Sequence, residues 1–307
     1  MNREGILVIG SANMDLVIST ERFPNPGETI FGKKFDMFPG GKGANQAVCC
    51  AMLGSKTFFI GKMGSDDFCK RISLNLKQAG VELQHLLIDD IESTGTALIT
   101  VDKTGENKII VIPGSNMKLS QSDIEQKKNI FSQVKVVIAQ LEIPLDTVVK
   151  TATLAKENET TFILNPAPAL ELPEKLFPFV DYLTPNETEL EILSGITINN
   201  EASIEKAARI LLKKGIKNVI VTIGERGAIL VNNDRKETFP ANKVKVVDTT
   251  GAGDAFNGAL AFALSNGEDI DKAIHLANLV ASHCITKMGA QSSMPKLEEI
   301  NIYKIAT

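Results

Sequence analysis

Residues 243–264 read Lys243-Val-Lys-Val-Val-Asp248, then Thr249-Thr-Gly-Ala-Gly-Asp254, then Ala255-Phe-Asn-Gly-Ala-Leu-Ala-Phe-Ala-Leu264. The first block alternates and is β-branched, the second is a glycine-rich turn, and the third is an apolar, small-residue helix. A strand, a tight turn and a helix in that order predict an α/β fold. Gly251 and Gly253 let the backbone bend so that successive N–H groups point at one anion, with the positive end of the helix dipole behind them. Asp254 repels the phosphate that such a cup attracts, unless it is there to take a proton from an attacking hydroxyl. An ordinary N-cap aspartate after a turn accounts for the heptad equally well, so other segments must decide.

Working outward, strand patterns at Gly5–Gly10, Val134–Ala139, Thr160–Leu164 and Asn218–Ile223 alternate with amphipathic helices at Pro144–Asn158 and Ser203–Lys214. This rhythm predicts a doubly wound, mostly parallel sheet flanked by helices. Ligands of such sheets bind outside the carboxyl ends of the strands. There the chain carries Asn13 and Asp15 after the first strand, Glu142, Asn186, Gly224 and Asp248. Two segments, about 16–38 and 96–112, hold strand patterns with no long helix between, the second a hairpin turned at Thr104–Asn107. They predict a small β-sheet, either an extra edge of the main sheet or a lid over the strand ends. No repeat or low-complexity linker divides the chain, so residues 1–307 are expected to form a single domain with the lid inserted in its core.

The 307 residues are 43% hydrophobic and carry a formal net charge of −4. That is enough for a large core, and without a dense Lys/Arg tract nucleic acid is not the expected partner. No apolar run reaches the roughly 18 residues of a membrane span, and no cleavable signal pattern precedes the first strand; a cytoplasmic protein is expected. Cys49, Cys50, Cys69 and Cys284 lack a CxxC spacing and read as small core residues, and His85, His275 and His283 form no metal spacing.

A second glycine cluster, Pro39-Gly-Gly-Lys-Gly-Ala-Asn45, leads into a helix expected over Gln46–Leu53. It is not a Walker loop. Its glycines admit a small polar ligand, and Lys42 and Asn45 can hydrogen-bond hydroxyls, although a plain tight turn explains it too. Asn13 and Asp15, two apart on an extended segment, face the same way and suit two vicinal hydroxyls; an Asx turn is the simpler account. In Asn186-Glu-Thr-Glu189, Asn186 is an N-cap and Glu189 completes a capping box, an account that leaves room for a nearby magnesium ion.

Gly40-Gly-Lys-Gly-Ala-Asn45, Asn186-Glu-Thr-Glu189 and Asp248-Thr-Thr-Gly-Ala-Gly-Asp254, in this order and at these intervals, resemble the ribokinase family of carbohydrate kinases, with Gly10-Ser-Ala-Asn-Met-Asp15 and Asn165-Pro-Ala-Pro168 in support. The resemblance covers essentially the whole chain. It implies phosphorylation of D-ribose at O5 by ATP with Mg²⁺. Asp254 would be the general base, and the amides of Gly251, Ala252 and Gly253 an anion hole. Asn13, Asp15, Gly41, Lys42, Asn45 and Glu142, with Asp254, would hold the sugar. Asn186, Thr222, Gly224, Glu225, Gly227, Gly253 and Asn278 would line the ATP site, the last standing where the family often has histidine. Glu189 would act on magnesium through water. The resemblance further implies a monovalent-cation site, usually potassium, drawn from Asp248, Thr250, Cys284, Lys287, Gly289 and Ser293, and a homodimer formed through the lid. The alternatives are a kinase for another furanose such as 2-deoxyribose, a nucleoside kinase, for which the absence of Trp and the presence of only two Tyr are unfavourable, or a sugar-binding regulator without activity.

Overall fold

The computed structural model describes residues 3–300. The first half of the chain forms β1 (Ile6–Ile9), β2 (Asn13–Ser19), β3 (Lys34–Gly40), α1 (Lys42–Met52), β4 (Thr57–Ile60), β5 (Lys62–Gly64), α2 (Asp67–Gln78), β6 (Val81–Glu82), β7 (Leu87–Asp89), β8 (Gly95–Val101), β9 (Asn107–Ile112) and α3 (Gln121–Gln126). The second half forms β10 (Val136–Ala139), α4 (Leu145–Glu157), β11 (Thr161–Leu164), β12 (Tyr182–Leu183), α5 (Glu187–Ser194), α6 (Glu201–Lys213), β13 (Asn218–Thr222), β14 (Ala228–Asn232), β15 (Lys236–Phe239), α7 (Ala252–Ser265) and α8 (Ile270–Cys284).

Nine strands make the main sheet in the order β15-β14-β13-β12-β11-β10-β1-β4-β6. Its pairings are parallel except β13 with β14 and β14 with β15. The burial of β1 shows why the strand reads as a continuous apolar run. Ile6 and Val8 pack into a core with residues of α1, α2, α7 and α8, while Leu7 and Ile9 pack into a second core with residues of α3, α4 and α6. Both faces are covered, as a parallel sheet requires.

The two segments that break the α/β rhythm form a separate four-stranded sheet, β3-β2-β8-β9, and not an extra edge of the main one. Within it β2 runs parallel to β8, while β2–β3 and β8–β9 are antiparallel. The placement of Asn13 and Asp15 differs from expectation accordingly. They lie on β2, the root of the small sheet, and not at the end of β1; their spacing of two still puts them on one face.

Two further expectations are corrected. Lys243–Asp248 is no strand: it is mostly exposed, and the N–H groups of Val247 and Asp248 share one acceptor, the Ile285 carbonyl. β15 leaves an open edge there, but the segment bonds the Ile285 carbonyl after α8 and joins no ladder, so its β-branched alternation goes without a partner strand. The helix expected from Gln46 begins at Lys42, and the one expected from Ala255 begins at Ala252. Glycines inside the first turns disguised both starts, a low intrinsic propensity overridden by packing.

Candidate active site

Gly251 adopts φ +79°, and from it α7 departs with Asp254 in its first turn. A methyl group at Gly251 would come to 3.0 Å from Ala290, and its left-handed φ disfavours any side chain in addition. The Ala252 N–H turns back to the Thr249 carbonyl at 3.2 Å. Gly253 and Asp254 lie where a helix offers no carbonyl four residues earlier, so their amides remain for a ligand.

Asp254 is buried, and each oxygen accepts one amide: Oδ2 from Asn45 Nδ2 at 2.8 Å, Oδ1 from Gln46 Nε2 at 2.9 Å. Burial pushes its pKa upward. The Lys42 charge and the two amide bonds pull against that, nearby Glu142 adds to it, and the net shift is up. Burial opposes the charge of Lys42 too, but Asp254, Glu142 and Glu189 together outweigh it and hold the ammonium above its ordinary range. A carboxylate kept basic beside a cation that never loses its proton suits proton abstraction from an alcohol. Lys42 also donates its backbone N–H to Glu142 Oε2 at 3.0 Å, which ties the glycine-rich start of α1 to the residue that follows β10. Asp15 has its carboxyl pushed up to about 7, first by burial and then by the charges of Glu142 and Asp254.

Behind the carboxylate runs a buried chain of amides that the sequence did not announce. Gln140 donates to Gln46 Oε1 at 2.6 Å, and Gln46 donates to Asn165 Oδ1 at 3.0 Å. Thr184 donates to Asn257 Oδ1, whose Nδ2 returns to the Gly253 carbonyl at 2.8 Å. The signal that could have found them is the same in each case: a polar residue inside an apolar stretch, which must be satisfied when buried.

A cavity of about 210 Å³ opens at the strand ends, lined among others by Lys42, Asn186, Glu189, Thr222, Gly253 and Asp254. Asn186 caps α5 as the spacing predicts, with a reciprocal bond to Glu189. Burial raises the Glu189 carboxyl. Gly224, Glu225 and Gly227 form the turn between β13 and β14, next to the lining residue Thr222 and joined to the start of α5 by the Arg226–Glu187 ion pair. There a Cβ at Gly227 would strike the Phe239 carbonyl at 2.0 Å. Asn278 Nδ2 donates to the carbonyls of Phe239 at 3.0 Å and Pro240 at 3.4 Å, which fixes the chain after β15 and leaves its Oδ1 for a ligand.

The six residues assigned to a monovalent cation converge. Asp248 accepts from the N–H and hydroxyl of Thr250 with one oxygen and from the Gly289 N–H at 2.9 Å with the other. Cys284 Sγ lies 2.8 Å from Ser293 Oγ and 3.9 Å from the Thr250 carbonyl, and the Lys287 N–H bonds the Cys284 carbonyl. Carbonyls and one carboxylate around a tight loop fit a weakly hydrated cation. Among the described residues no group of three or more His, Cys, Asp or Glu is placed to hold a metal. No helix among the described residues is long and apolar enough to cross a membrane.

A buried carboxylate, an adjacent lysine and free helix-start amides, set at the ends of a doubly wound sheet beside a second sheet, suit an enzyme that transfers a phosphoryl group to a small-molecule alcohol. Residues 3–297 match the model of the pfkB family of carbohydrate kinases. The chain is 40% identical over 297 residues to ribokinase of Haemophilus influenzae, covering 97% of each. It is 40% identical over 299 residues to deoxyribokinase of Salmonella typhi, covering 97% of this chain and 98% of that one. Ribokinase of Arabidopsis thaliana, solved in complex with ribose and ATP, superposes with a TM-score of 0.92 at 33% identity, covering 99% of both chains. The chain belongs to the pfkB carbohydrate kinase family, and it is a sugar kinase of the ribokinase type.

Proposed function

We propose that the chain phosphorylates D-ribose at O5 with ATP, as one kinase unit spanning residues 1–307. The observation that carries this is the double amide grip on Asp254 beside Lys42, on the same helix turn that offers its amides to a phosphate. Asp254 accepts the proton of the attacking hydroxyl, and the amides at the start of α7 neutralise charge on the migrating group. Asn13, Asp15, Gly41, Lys42, Asn45 and Glu142 hold the sugar. Asn186, Thr222 and the turn Gly224–Gly227 hold ATP, with Asn278 acting through the loop it ties down. Glu189 would hold magnesium through water, and that ion supplies charge neutralisation for the phosphates when bound. The Asp248–Ser293 group would hold potassium, which supplies a fixed positive charge beside the glycine-rich turn. We place the enzyme in the cytoplasm, as a dimer joined through the small sheet.

Identity is equal toward the ribokinase and the deoxyribokinase, so overall likeness does not choose the sugar. The paired Asn13 and Asp15 favour ribose. The deciding assay is purified protein with ATP and Mg²⁺ against ribose, 2-deoxyribose, other pentoses and nucleosides, in potassium and in sodium, scored by ADP formation. Ribose should exceed 2-deoxyribose in kcat/KM by about tenfold or more, and potassium should exceed sodium. A higher rate on 2-deoxyribose or a nucleoside would replace the ribose assignment, and equal rates in the two salts would remove the potassium site.

A further inference from the structure

Asn13 sits where three strands of the small sheet are rooted. In register it pairs with Gly40 on β3 and Gly95 on β8, two neighbours without side chains. A methyl group at Gly95 would come within 2.2 Å of both Asn13 Oδ1 and Asn116 Nδ2. Asn116, in the single 3-10 turn Gly114–Lys118 that follows β9, is buried at 1% exposure. It therefore closes the ring in which β2, β8 and the exit of β9 meet.

The orientation of its amide follows from a group that cannot be reversed. The Ala12 backbone N–H donates to Asn116 Oδ1 at 2.9 Å. A backbone N–H cannot accept, so Asn116 must present oxygen there and its Nδ2 on the other side. That Nδ2 donates to Asn13 Oδ1 at 2.7 Å and to the Ala12 carbonyl at 3.3 Å. The oxygen of Asn13 is thereby used, and its NH₂, which donates to no side chain or backbone group among the described residues, is what remains for a ligand.

We infer that Asn116 is a positioning residue for sugar recognition: it fixes Asn13 as a hydrogen-bond donor beside the acceptor Asp15, so that the pair reads two neighbouring hydroxyls of different roles, and it makes this depend on the seating of the small sheet. This rests on the assignment of Asn13 and Asp15 to the sugar. A sugar lacking the hydroxyl that faces Asn13 leaves an NH₂ group desolvated and unpaired, which is how a site built for a hydroxyl rejects its deoxy analogue. Asn116 touches no substrate and acts only through Asn13.

The test uses the full chain, assayed with ATP and Mg²⁺ on ribose and on 2-deoxyribose. In Asn116→Asp the acceptor for the Ala12 N–H stays, but an oxygen meets Asn13 Oδ1, and the Asn13 amide turns to donate inward. The ribose preference should fall by about tenfold, through a higher KM for ribose, with the KM for ATP unchanged and kcat changed less. Asn116→Ser, which adds no charge and cannot bridge, should act in the same direction. In an Asn13→Met background neither change should move the sugar ratio further, because the residue through which Asn116 acts is gone.

A wild-type protein that uses ribose but discriminates unchanged in both Asn116 variants overturns this inference alone. So does an equal loss on both sugars in step with a lowered Tm, or a ratio that still moves in the Asn13→Met background. Wild-type protein that takes neither pentose, or takes both equally, overturns it together with the assignment of Asn13 to the sugar.

Discussion

Asp254 is buried and Asp15 half-buried, both near Glu142, yet they differ in what compensates them. Asp254 has two amide donors and Lys42, whereas Asp15 has no hydrogen-bond donor among the described residues. The first is thus a carboxylate held ready, and the second a group whose charge is costly until a ligand arrives. Asp254→Asn keeps both shape and burial, and should lower kcat by about 10²–10⁴-fold while ribose still binds; calorimetric titration with ribose beside steady-state rates checks this, and near-normal turnover would exclude Asp254 as the base. For Asp15 the sign follows from its pKa, 3.8 unfolded and about 7 folded. Its neutral form is favoured in the fold, so its contribution is fully present below about pH 4 and lost as pH rises through about 7. Asp15→Asn should therefore raise the Tm of the ligand-free protein relative to wild type by about 2–4 °C more at pH 8 than at pH 5, while raising the KM for ribose. Thermal scans at the two pH values decide it: an equal difference at both would mean that Asp15 is not the group strained by burial.

The start of α7 carries two glycines that do different things. Gly251 has φ +79° and crowds Ala290, whereas Gly253 has an ordinary φ and nothing within 4 Å of where a Cβ would stand, in the wall of the 210 Å³ cavity. Gly251→Ala should cost about 1–2 kcal/mol of stability as well as activity. Gly253→Ala should leave stability unchanged or raise it by up to about 1 kcal/mol, while lowering kcat/KM for ATP at least tenfold, an order-of-magnitude expectation for a methyl group standing in an anion cup. Denaturant unfolding and kinetics on the pair separate the roles, and matched losses of stability would refute the division. The turn was legible in sequence because its chemistry is carried by residue type: two glycines, then an aspartate. The capping box of Asn186 and Glu189 was legible for the same reason. Lys243–Asp248 misled because β-branched alternation reports fitness for a pleated surface and not the presence of a neighbour strand. The proposed cation site would rest on carbonyls, which every residue owns, so only the family resemblance pointed to it. Gln46 and Gln140 were hard to pick out because a single amide on an apolar helix or strand end gains its meaning only from partners about 90 to 210 positions away in the chain, and Asn257 from Thr184, 73 positions away.

At the scale of the molecule, the main sheet and its helices are closed on both faces, and the small sheet is not. All six residues of β9 are exposed, among them Ile109, Ile110, Val111 and Ile112. Successive residues of a strand face opposite sides, so neither side of β9 is covered within one chain, and β9 is also the edge of its sheet. Leu98 on β8 and Phe35 on β3 add to this apolar surface. An apolar edge strand left in water is an aggregation hazard that natural proteins cover. A second copy of the same sheet is the cover we propose, which would brace the surface whose roots hold Asn13 and Asp15. Ile110, 64% exposed, sits midway along β9, and Ile110→Lys adds a charge there without disturbing a buried contact. Sedimentation equilibrium should show wild type as a dimer at micromolar concentration and the variant as a monomer of unchanged Tm. Because a braced lid excludes water from the transfer, the variant should also show a KM for ribose raised several-fold, by about 1 kcal/mol of lost sugar binding, with the KM for ATP little changed. A wild-type monomer would exclude the proposed cover, and a variant that stays dimeric would move the interface off β9.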